Sequence, residues 1–383
     1  MIKFLFTVVI SLYCSFESFG SSGAGLIERV DHSFSAPIPR VSRGEILMDI
    51  PSRILGDLTK EERQAKVENY FTDHVAEEVG ANSDFYSFRI FFPGNEVPGY
   101  HIDSQIKEGF SVLGKPLSMV GVPFHYEENS SDLAISCNDN WTLYSWSHLV
   151  RSGRLDPKRK IVILHLDDHR DDMPPRLLKR DEGLLDPFSG YLFDLRDPES
   201  VKACIETAAI GIGSFIGPFV FSCNQVEVRH LCARENPFIP HDTWKSIEEG
   251  TILDEWRVDA VRLKVNLMPC SDTSPRRYLL TNDLNILLGG INPDAQIILH
   301  MDMDYFNDRF DGDSMWEESK RQHNPSKEEV MASIHNFFYQ MKERGILPRV
   351  IHNHVGLCPG FYPYEFWEES LSIISSYMME GGK

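Results

Sequence analysis

The sequence predicts an α/β fold, a three-layer sandwich with a mainly parallel central sheet. The first observation is a pair of short apolar runs, 161–164 and 297–299, which are typical of strands buried on both faces. The second is the alternation of strand-like and helical patterns from residue 113 to the C-terminus, which indicates a parallel sheet with helices on both faces.

The N-terminal part of the chain is predicted to hold a leader and an extension. Residues 1–21 begin with a single lysine and an apolar run too short to span a bilayer. This resembles a secretory signal peptide, although a first strand fits the pattern as well. Residues 22–112 are expected to form an extension packed on the core. Within it, 59–79 predicts an amphipathic helix, with Thr59 as N-cap and Glu62 completing a capping box.

Residues 113–383 are expected to form the core domain. Periodicity predicts helices at 141–151, 201–208, 327–344 and 365–379. Strands are predicted at 85–92 in the extension and, in the core, at 117–122, 161–166, 219–221, 227–231, 297–301 and 350–354, with 279–288 either strand or helix. Ligands of open α/β sheets gather beyond the carboxyl ends of the strands, so those ends are the place to look for chemistry.

Composition is that of an ordinary soluble globular protein, 42% hydrophobic and 25% charged. The formal net charge of −19 argues against nucleic acid and against insertion into anionic membranes, and is compatible with a cationic substrate. The seven cysteines form no CxxC pair and are odd in number, which fits a reducing compartment better than a disulfide framework. A cytoplasmic location is therefore expected, with secretion left open by the leader-like start.

Four aspartates and a histidine follow the first apolar run within six residues. Side chains alternate along an extended segment, so Asp167, His169 and Asp171 project to one side together. A buried strand that ends in clustered carboxylates is unfavourable unless a cation compensates the charge. The array therefore predicts a metal site, with a solvated acidic loop as the alternative.

The second apolar run ends in a similar way, with Asp302 and Asp304 two residues apart. If both strands belong to one sheet, their carboxyl ends bring five ligands into one pocket. Four carboxylates and one imidazole suit a pair of Mn²⁺ or Mg²⁺ ions better than structural zinc. His165 and His300 each precede a metal-binding aspartate by two residues, and a buried structural role is expected for both.

The sequences LHLDDHRDDM and LHMDMDYF resemble the paired metal signatures of the arginase-like ureohydrolases. The resemblance is greatest to the divergent branch that includes peptide arginases, which convert arginine residues of ribosomal peptides to ornithine. It extends from about residue 117 to the C-terminus and includes 210–221. It implies an arginase/deacetylase-like core and two Mn²⁺ ions held by Asp167, His169, Asp171, Asp302 and Asp304.

The same resemblance implies one more metal ligand upstream, normally a histidine. The corresponding position is Asn140, 27 residues before Asp167. An amide oxygen is a hard but neutral ligand, weaker than imidazole for transition metals. Asn140 could bind one metal loosely, that metal could rely on carboxylates and water, or His125 or His148 could serve instead.

Two further roles follow from the resemblance. A glutamate near the start of the helix after DxD binds the guanidinium in arginases, which points to Glu329, or failing that Glu328. A capping box formed by Ser326 and Glu329 explains the same pattern. The usual acid histidine has no counterpart near Leu184, so His354 is the candidate for protonating the departing amine, with a structural role as its alternative.

These expectations together describe a manganese-dependent hydrolase of guanidino groups that acts on an arginine-containing precursor peptide and releases urea. A small-molecule ureohydrolase or amidohydrolase, such as one acting on agmatine, is the alternative enzyme. A metal-binding relative without catalysis is the alternative from another class, because Asn140 and the missing acid histidine depart from the pattern.

Overall fold

The computed structural model describes residues 40–42, 45–71, 75–91, 105–114, 132–233, 239–257, 259–271, 273–309, 324–359 and 361–381. These residues fall within one compact unit, Ala36–Lys383. The leader-like segment 1–21, the strand expected at 117–122 and His125 lie outside the described residues.

The N-terminal part forms a four-stranded sheet with two helices. Its strands are β1 (Arg40–Ser42), β2 (Glu45–Pro51), β3 (Val75–Ala81) and β4 (Phe85–Phe91), in the antiparallel order β1-β2-β4-β3, with helices α1 (Ser52–Leu55) and α2 (Lys60–Tyr70). The capping box of Thr59 and Glu62 is present. The helix is shorter than expected, because the chain returns as β3 from Val75 to pair with β4.

This small sheet packs on the rest of the unit through aromatic side chains. The ring of Tyr70 stacks on Trp256, with 3.7 Å between ring centroids, and its hydroxyl donates to Asp254 at 2.8 Å. The guanidinium of Arg176 donates to the Tyr70 carbonyl at 2.5 Å. Phe88 of β4 is fully buried, so aromatic residues at 85–92 contribute to the core.

The larger sheet has ten strands, six parallel and four antiparallel. In spatial order they are β5 (Leu133–Ser136), β14 (Val350–Gly356), β13 (Gln296–Asp302), β6 (Lys160–Leu166), β9 (Gln225–Leu231), β12 (Arg276–Thr281), β10 (Lys245–Leu253), β11 (Val261–Pro269), β7 (Leu178–Arg180) and β8 (Gly183–Leu185). Every pair from β5 to β12 is parallel, and every pair from β12 to β8 is antiparallel. The predicted α/β class with a large, mainly parallel central sheet is confirmed.

Helices flank this sheet on both faces. They are α3 (Ile106–Val112), α4 (Trp141–Arg151), α5 (Pro198–Glu206), α6 (Ile216–Phe221), α7 (Leu284–Leu288), α8 (Lys327–Glu343) and α9 (Trp367–Gly381). Ile161 and Ile163 of β6 belong to one buried apolar cluster, and Val162 and Leu164 to another. The strand is therefore buried on both faces, as its continuous apolar run predicts.

Two predicted elements need correction. Residues 219–221 are not a strand but the end of helix α6, because a short apolar run does not distinguish a buried strand from a buried helix. Pro218 lies in the first turn of that helix, where the missing N–H is tolerated. The stretch 279–288 is both kinds of element, the end of β12 followed by α7.

Candidate metal centre

Four adjacent parallel strands end at the same edge of the large sheet, in the order β5, β14, β13 and β6. Each contributes at least one polar side chain to a single buried cluster. These side chains are Asp139 after β5, Cys358 after β14, Asp302 and Asp304 at the end of β13, and Asp167, His169 and Asp171 after β6. The two sequence motifs are thus brought together, as the rule for carboxyl ends of parallel strands predicts.

Direct contacts connect the two motifs. His169 Nδ1 lies 2.8 Å from Asp304 Oδ2, and the His169 backbone N–H donates to Asp167 Oδ1 at 2.5 Å. Potential ligand atoms of Asp167, His169 and Asp304 lie within 4.8 Å of one another, which is close enough for one cation to bind all three. Asp302 accepts the backbone N–H of Asp304 at 3.1 Å, which fixes the turn between the two aspartates.

The carboxyl groups of the cluster are buried close to one another, so ionising all of them is unfavourable without a cation. Burial raises the pKa of Asp167 well above its ordinary value, and repulsion from Asp304 and Asp302 raises it further. Burial also raises the pKa values of Asp171 and Asp302, with repulsion from neighbouring aspartates as the next cause. Groups of this kind can hold a metal ion, which would supply the missing positive charge.

The loop after β6 is held in a constrained conformation. Asp171 has φ of +52°, a left-handed conformation that is uncommon for a residue with a Cβ atom. Its carbonyl accepts the N–H of Ile216 at 3.1 Å, and Met173 N–H donates to Gly213 at 3.0 Å. The segment 210–216 therefore positions the loop after β6, and such strain is often found at functional sites.

A row of four histidines crosses the adjacent strands next to the cluster, and potential ligand atoms of His165 and His300 lie within 4.8 Å of those of Asp167 and Asp171. His354, His300, His165 and His230 occupy the same register on β14, β13, β6 and β9, and all are fully buried. His165 Nε2 faces the His169 carbonyl at 3.2 Å and must donate, so its Nδ1 accepts from His300 Nδ1 at 2.8 Å. Burial lowers the pKa values of His165, His300 and His230, which keeps these rings neutral. His165 and His300 thus have the buried positions expected for them.

At the upstream position the structure places an aspartate in the cluster. Asp139 is buried, and neither of its carboxylate oxygens has a hydrogen-bond partner among the described residues. Its pKa is raised by burial and then by repulsion from Asp171. Asp139 was missed because the resemblance pointed to the next residue.

Asn140 begins helix α4 beside this cluster. Its amide nitrogen donates to the Ile210 carbonyl at 3.1 Å, while its amide oxygen is buried without a hydrogen-bond partner among the described residues. A role for that oxygen as a ligand stays a prediction. The alternative candidate His148 lies on the exposed face of α4, with its ring against Tyr144, so it does not reach the cluster.

Glu328 and Glu329 are exposed at the start of α8. The Glu329 carboxylate accepts the backbone N–H of Ser326 at 2.8 Å, and the Ser326 hydroxyl accepts the Glu329 N–H in return. These hydrogen bonds lower the pKa of Glu329. The capping box that is the alternative explanation of this pattern is therefore present, and a role of Glu329 or Glu328 in guanidinium binding stays a prediction.

His354 is held by two serine side chains. The Ser136 hydroxyl donates to the Asn138 carbonyl at 2.7 Å, so it must accept from His354 Nε2, also at 2.7 Å. His354 Nδ1 then accepts from the Ser145 hydroxyl at 3.0 Å. These bonds of a fully buried ring fit the structural alternative for His354, and its role in protonating the departing amine stays a prediction.

Access to the cluster is on the side of His169, whose side chain is 38% exposed while those of Asp167 and Asp304 are fully buried. The ring of Phe361 lies beside it, at 5.5 Å between centroids.

No protein-family model matches the sequence, and a search of curated proteins gave no match. None of the helices described between residues 40 and 381 has the length and apolar character that a membrane crossing requires.

Proposed function

We propose that this chain is a manganese-dependent hydrolase of guanidino groups, which converts arginine residues of a peptide to ornithine and releases urea. One observation carries the proposal. The motif of Asp167, His169 and Asp171 and the motif of Asp302 and Asp304 converge in a buried site at the carboxyl ends of two adjacent parallel strands. The sheet with helices on both faces supports the further proposal of a three-layer, arginase/deacetylase-like core.

The residues present fit a pair of hard divalent cations. Asp167 belongs to two groups of potential ligands, one with His169 and Asp304 and another with His165, Asp171 and His300, so these residues would hold the ions. Buried oxygens of Asp139, Asp167 and Asp171 have no hydrogen-bond partner among the described residues. When bound, the ions would supply charge compensation and a water molecule of lowered pKa.

The chain itself supplies orientation and exclusion of water. Among the described residues of the cluster, His169 has the most exposed side chain and Asp167 and Asp304 are buried, so a guanidinium would enter past the His169 ring. Neutral histidines below the cluster fix the Asp167 backbone, because His230 Nε2 donates to the Asp167 carbonyl at 2.9 Å. With His354 bonded to serines, the proton for the departing amine is expected from solvent at the open side.

A peptidyl arginine is favoured over the free amino acid. A pocket for free arginine must also satisfy its α-amino and α-carboxylate groups with paired polar partners. The partly exposed His169 ring and the Phe361 ring beside it offer contact surface to a peptide. The net charge of −19 is compatible with a basic peptide.

The test is a urea assay on the Mn²⁺-loaded protein with an arginine-containing peptide, free arginine and agmatine. We expect kcat/KM for the internal arginine to exceed that for free arginine by on the order of 10²-fold. Preference for arginine or agmatine would instead establish a small-molecule ureohydrolase. Metal binding without urea from any of the three would establish a relative that has lost catalysis.

A role of the N-terminal part in peptide recognition needs a test that leaves its packing intact. Deleting residues 22–80 would remove Tyr70 and expose Trp256 and Arg176, so loss of activity would report lost packing. A surface change is cleaner. Glu61→Lys on exposed helix α2 keeps its buried side intact, and reduced kcat/KM for a peptide but not for agmatine would assign that helix to recognition.

A further inference from the structure

One member of the cluster belongs to neither sequence motif. Cys358 follows strand β14, which lies between β5 and β13 at the edge where the carboxylates gather. Its Sγ atom is 2.9 Å from Asp302 Oδ2. The residue is buried and has φ of +38°, a left-handed conformation that costs energy for a residue with a Cβ atom.

The backbone holds Cys358 in this position. Leu357 N–H donates to Ser136 and Cys358 N–H to Cys137, both at 2.8 Å, which continues the parallel pairing of β14 with β5. The Cys358 carbonyl then accepts the N–H groups of Phe361 and Tyr362, both at 2.8 Å. The thiol is therefore directed at the carboxylates by a network of main-chain hydrogen bonds.

Asp139 provides the second, independent observation. Its carboxylate is buried to 1% exposure, and neither oxygen has a hydrogen-bond partner among the described residues. Potential ligand atoms of Asp139, Asp302 and Cys358 all lie within 4.8 Å of one another. Gly356 makes this approach possible, because a Cβ atom there would lie 3.1 Å from the Asp139 Cβ and 3.3 Å from its Cα.

We propose that Cys358 binds a metal ion as a thiolate, together with Asp139 and Asp302, so that one half of the metal centre is a mixed sulfur–oxygen site. On binding, the S–H bond breaks, its proton leaves to solvent, and a sulfur–metal bond forms. Thiolate is a soft ligand, whereas the half built from Asp167, His169 and Asp304 is oxygen-rich. The mixed half prefers Co²⁺, Zn²⁺ or Cd²⁺ to Mn²⁺. This inference rests on the metal centre of the proposed function, not on its substrate.

The test uses Co²⁺ and Cd²⁺ as probes on the full chain. Thiolate bound to Co²⁺ gives a charge-transfer absorption in the near ultraviolet that oxygen and nitrogen ligands do not give. We expect this band in the wild-type protein and in Cys137→Ala, a neighbouring buried cysteine outside the ligand group, and its loss in Cys358→Ser. Cys358→Ser should also lower the ratio of Cd²⁺ to Mn²⁺ affinity by on the order of tenfold.

Each outcome decides the point. Co²⁺ bound without the charge-transfer band, or a band that persists in Cys358→Ser, would overturn the thiolate assignment while leaving the metal centre intact. Absence of any Co²⁺ or Mn²⁺ binding would overturn the proposed metallohydrolase as well. Cys358→Ala tests for misfolding: it should keep the wild-type circular dichroism spectrum and bind Mn²⁺ at the His169 half, still without the band.

Discussion

Buried carboxylates lie at both ends of the parallel strands, and the two groups differ in their cationic partners and in the direction of their pKa shifts. Near the amino ends, Glu227 of β9 contacts Lys160 Nζ at 2.6 Å, Arg229 at 3.2 Å and Arg277. Burial alone would raise the pKa of Glu227, but hydrogen bonds from Lys160 and Arg277 bring it below its ordinary value. The positive charges at this end all come from the chain.

At the carboxyl ends the situation is reversed. Burial and repulsion raise the pKa values of Asp139, Asp167, Asp171 and Asp302, and His169 and the buried histidines supply no permanent cation. A chain able to pair Glu227 with three cations has the residues to neutralise carboxylates when stability is the only need. The difference therefore supports the proposal that a metal ion binds at the carboxyl ends.

The largest expected effect is loss of function at the carboxyl end. Asp167→Asn and Asp302→Asn should each lower urea release by at least about 10³-fold, or about 4 kcal/mol in the activation free energy. Each removes a charge that compensates a cation, so elemental analysis should show less metal than in the wild type. Full metal occupancy in both variants would contradict the assignment of the cluster.

A change near the amino ends of the strands should lower stability and leave metal binding unchanged. Glu227→Gln leaves Lys160, Arg229 and Arg277 without their carboxylate and should lower the free energy of unfolding by about 3 kcal/mol. The value is at the low end for a buried pair because Lys160 and Arg277 are partly exposed. Denaturant unfolding measures it, and metal content should stay at the wild-type value. Loss of metal in this variant would mean that the two ends are coupled.

The pH dependence of stability should separate the two ends further. For the raised aspartates, the folded metal-free chain binds more protons than the unfolded chain above their ordinary pKa of 3.8. Their contribution to the free energy of unfolding therefore falls as pH rises. Glu227 has the opposite sign: its contribution is present above 4.5 and is lost as pH falls through its lowered folded pKa.

Metal should reverse the sign of the pH dependence of stability only for the aspartates at the carboxyl ends of the strands. A bound cation competes with protons for the raised aspartates, so the increase in Tm on adding Mn²⁺ should grow between about pH 5.5 and about pH 8. The buried His165, His230 and His300 have lowered pKa values and weaken the fold below 6.5, but they do so with and without metal. The Tm difference thus isolates the carboxylates, and a pH-independent difference would contradict this account.

Sequence patterns predicted the elements that build the site better than those that surround it. Strands β6 and β13 are continuous apolar runs because both faces are buried, and such runs are readable from sequence. The hairpin of β10 and β11 was not predicted, because its residues are half exposed and their polarity follows neither a strand nor a helix period. Pairing over nine positions holds it together, and no local pattern records that pairing.

The candidate site shows the same division. Asp167, His169, Asp171, Asp302 and Asp304 follow two adjacent buried strands, so the rule for the carboxyl ends of parallel strands predicted their meeting. The alternation expected for an extended segment does not apply to residues 167–171, which form a bend with Asp171 in a left-handed conformation. Cys358 could have been found from the predicted strand 350–354, because ligands gather beyond the carboxyl ends of parallel strands. Its approach to Asp302, however, depends on a left-handed backbone conformation at Cys358, which a cysteine in the sequence does not indicate. Whether residue 139 or residue 140 faces the cluster depends on the conformation of the turn after β5. Asp139 can approach the cluster because Gly356, on β14, has no side chain in its way.

The smallest expected effect concerns those two neighbours. If the Asn140 oxygen binds a metal, Asn140→His should be tolerated and should tighten one Mn²⁺ site by about tenfold, because imidazole is the better ligand for a transition metal. Asp139→Asn is the matched change one residue earlier, and it should weaken a site by a similar factor because it removes a charge. Isothermal titration of Mn²⁺ into the metal-free proteins measures both. Unchanged affinity in Asn140→His together with weakening in Asp139→Asn would assign the upstream ligand to Asp139, and Asn140 would then act only through its bond to the Ile210 carbonyl.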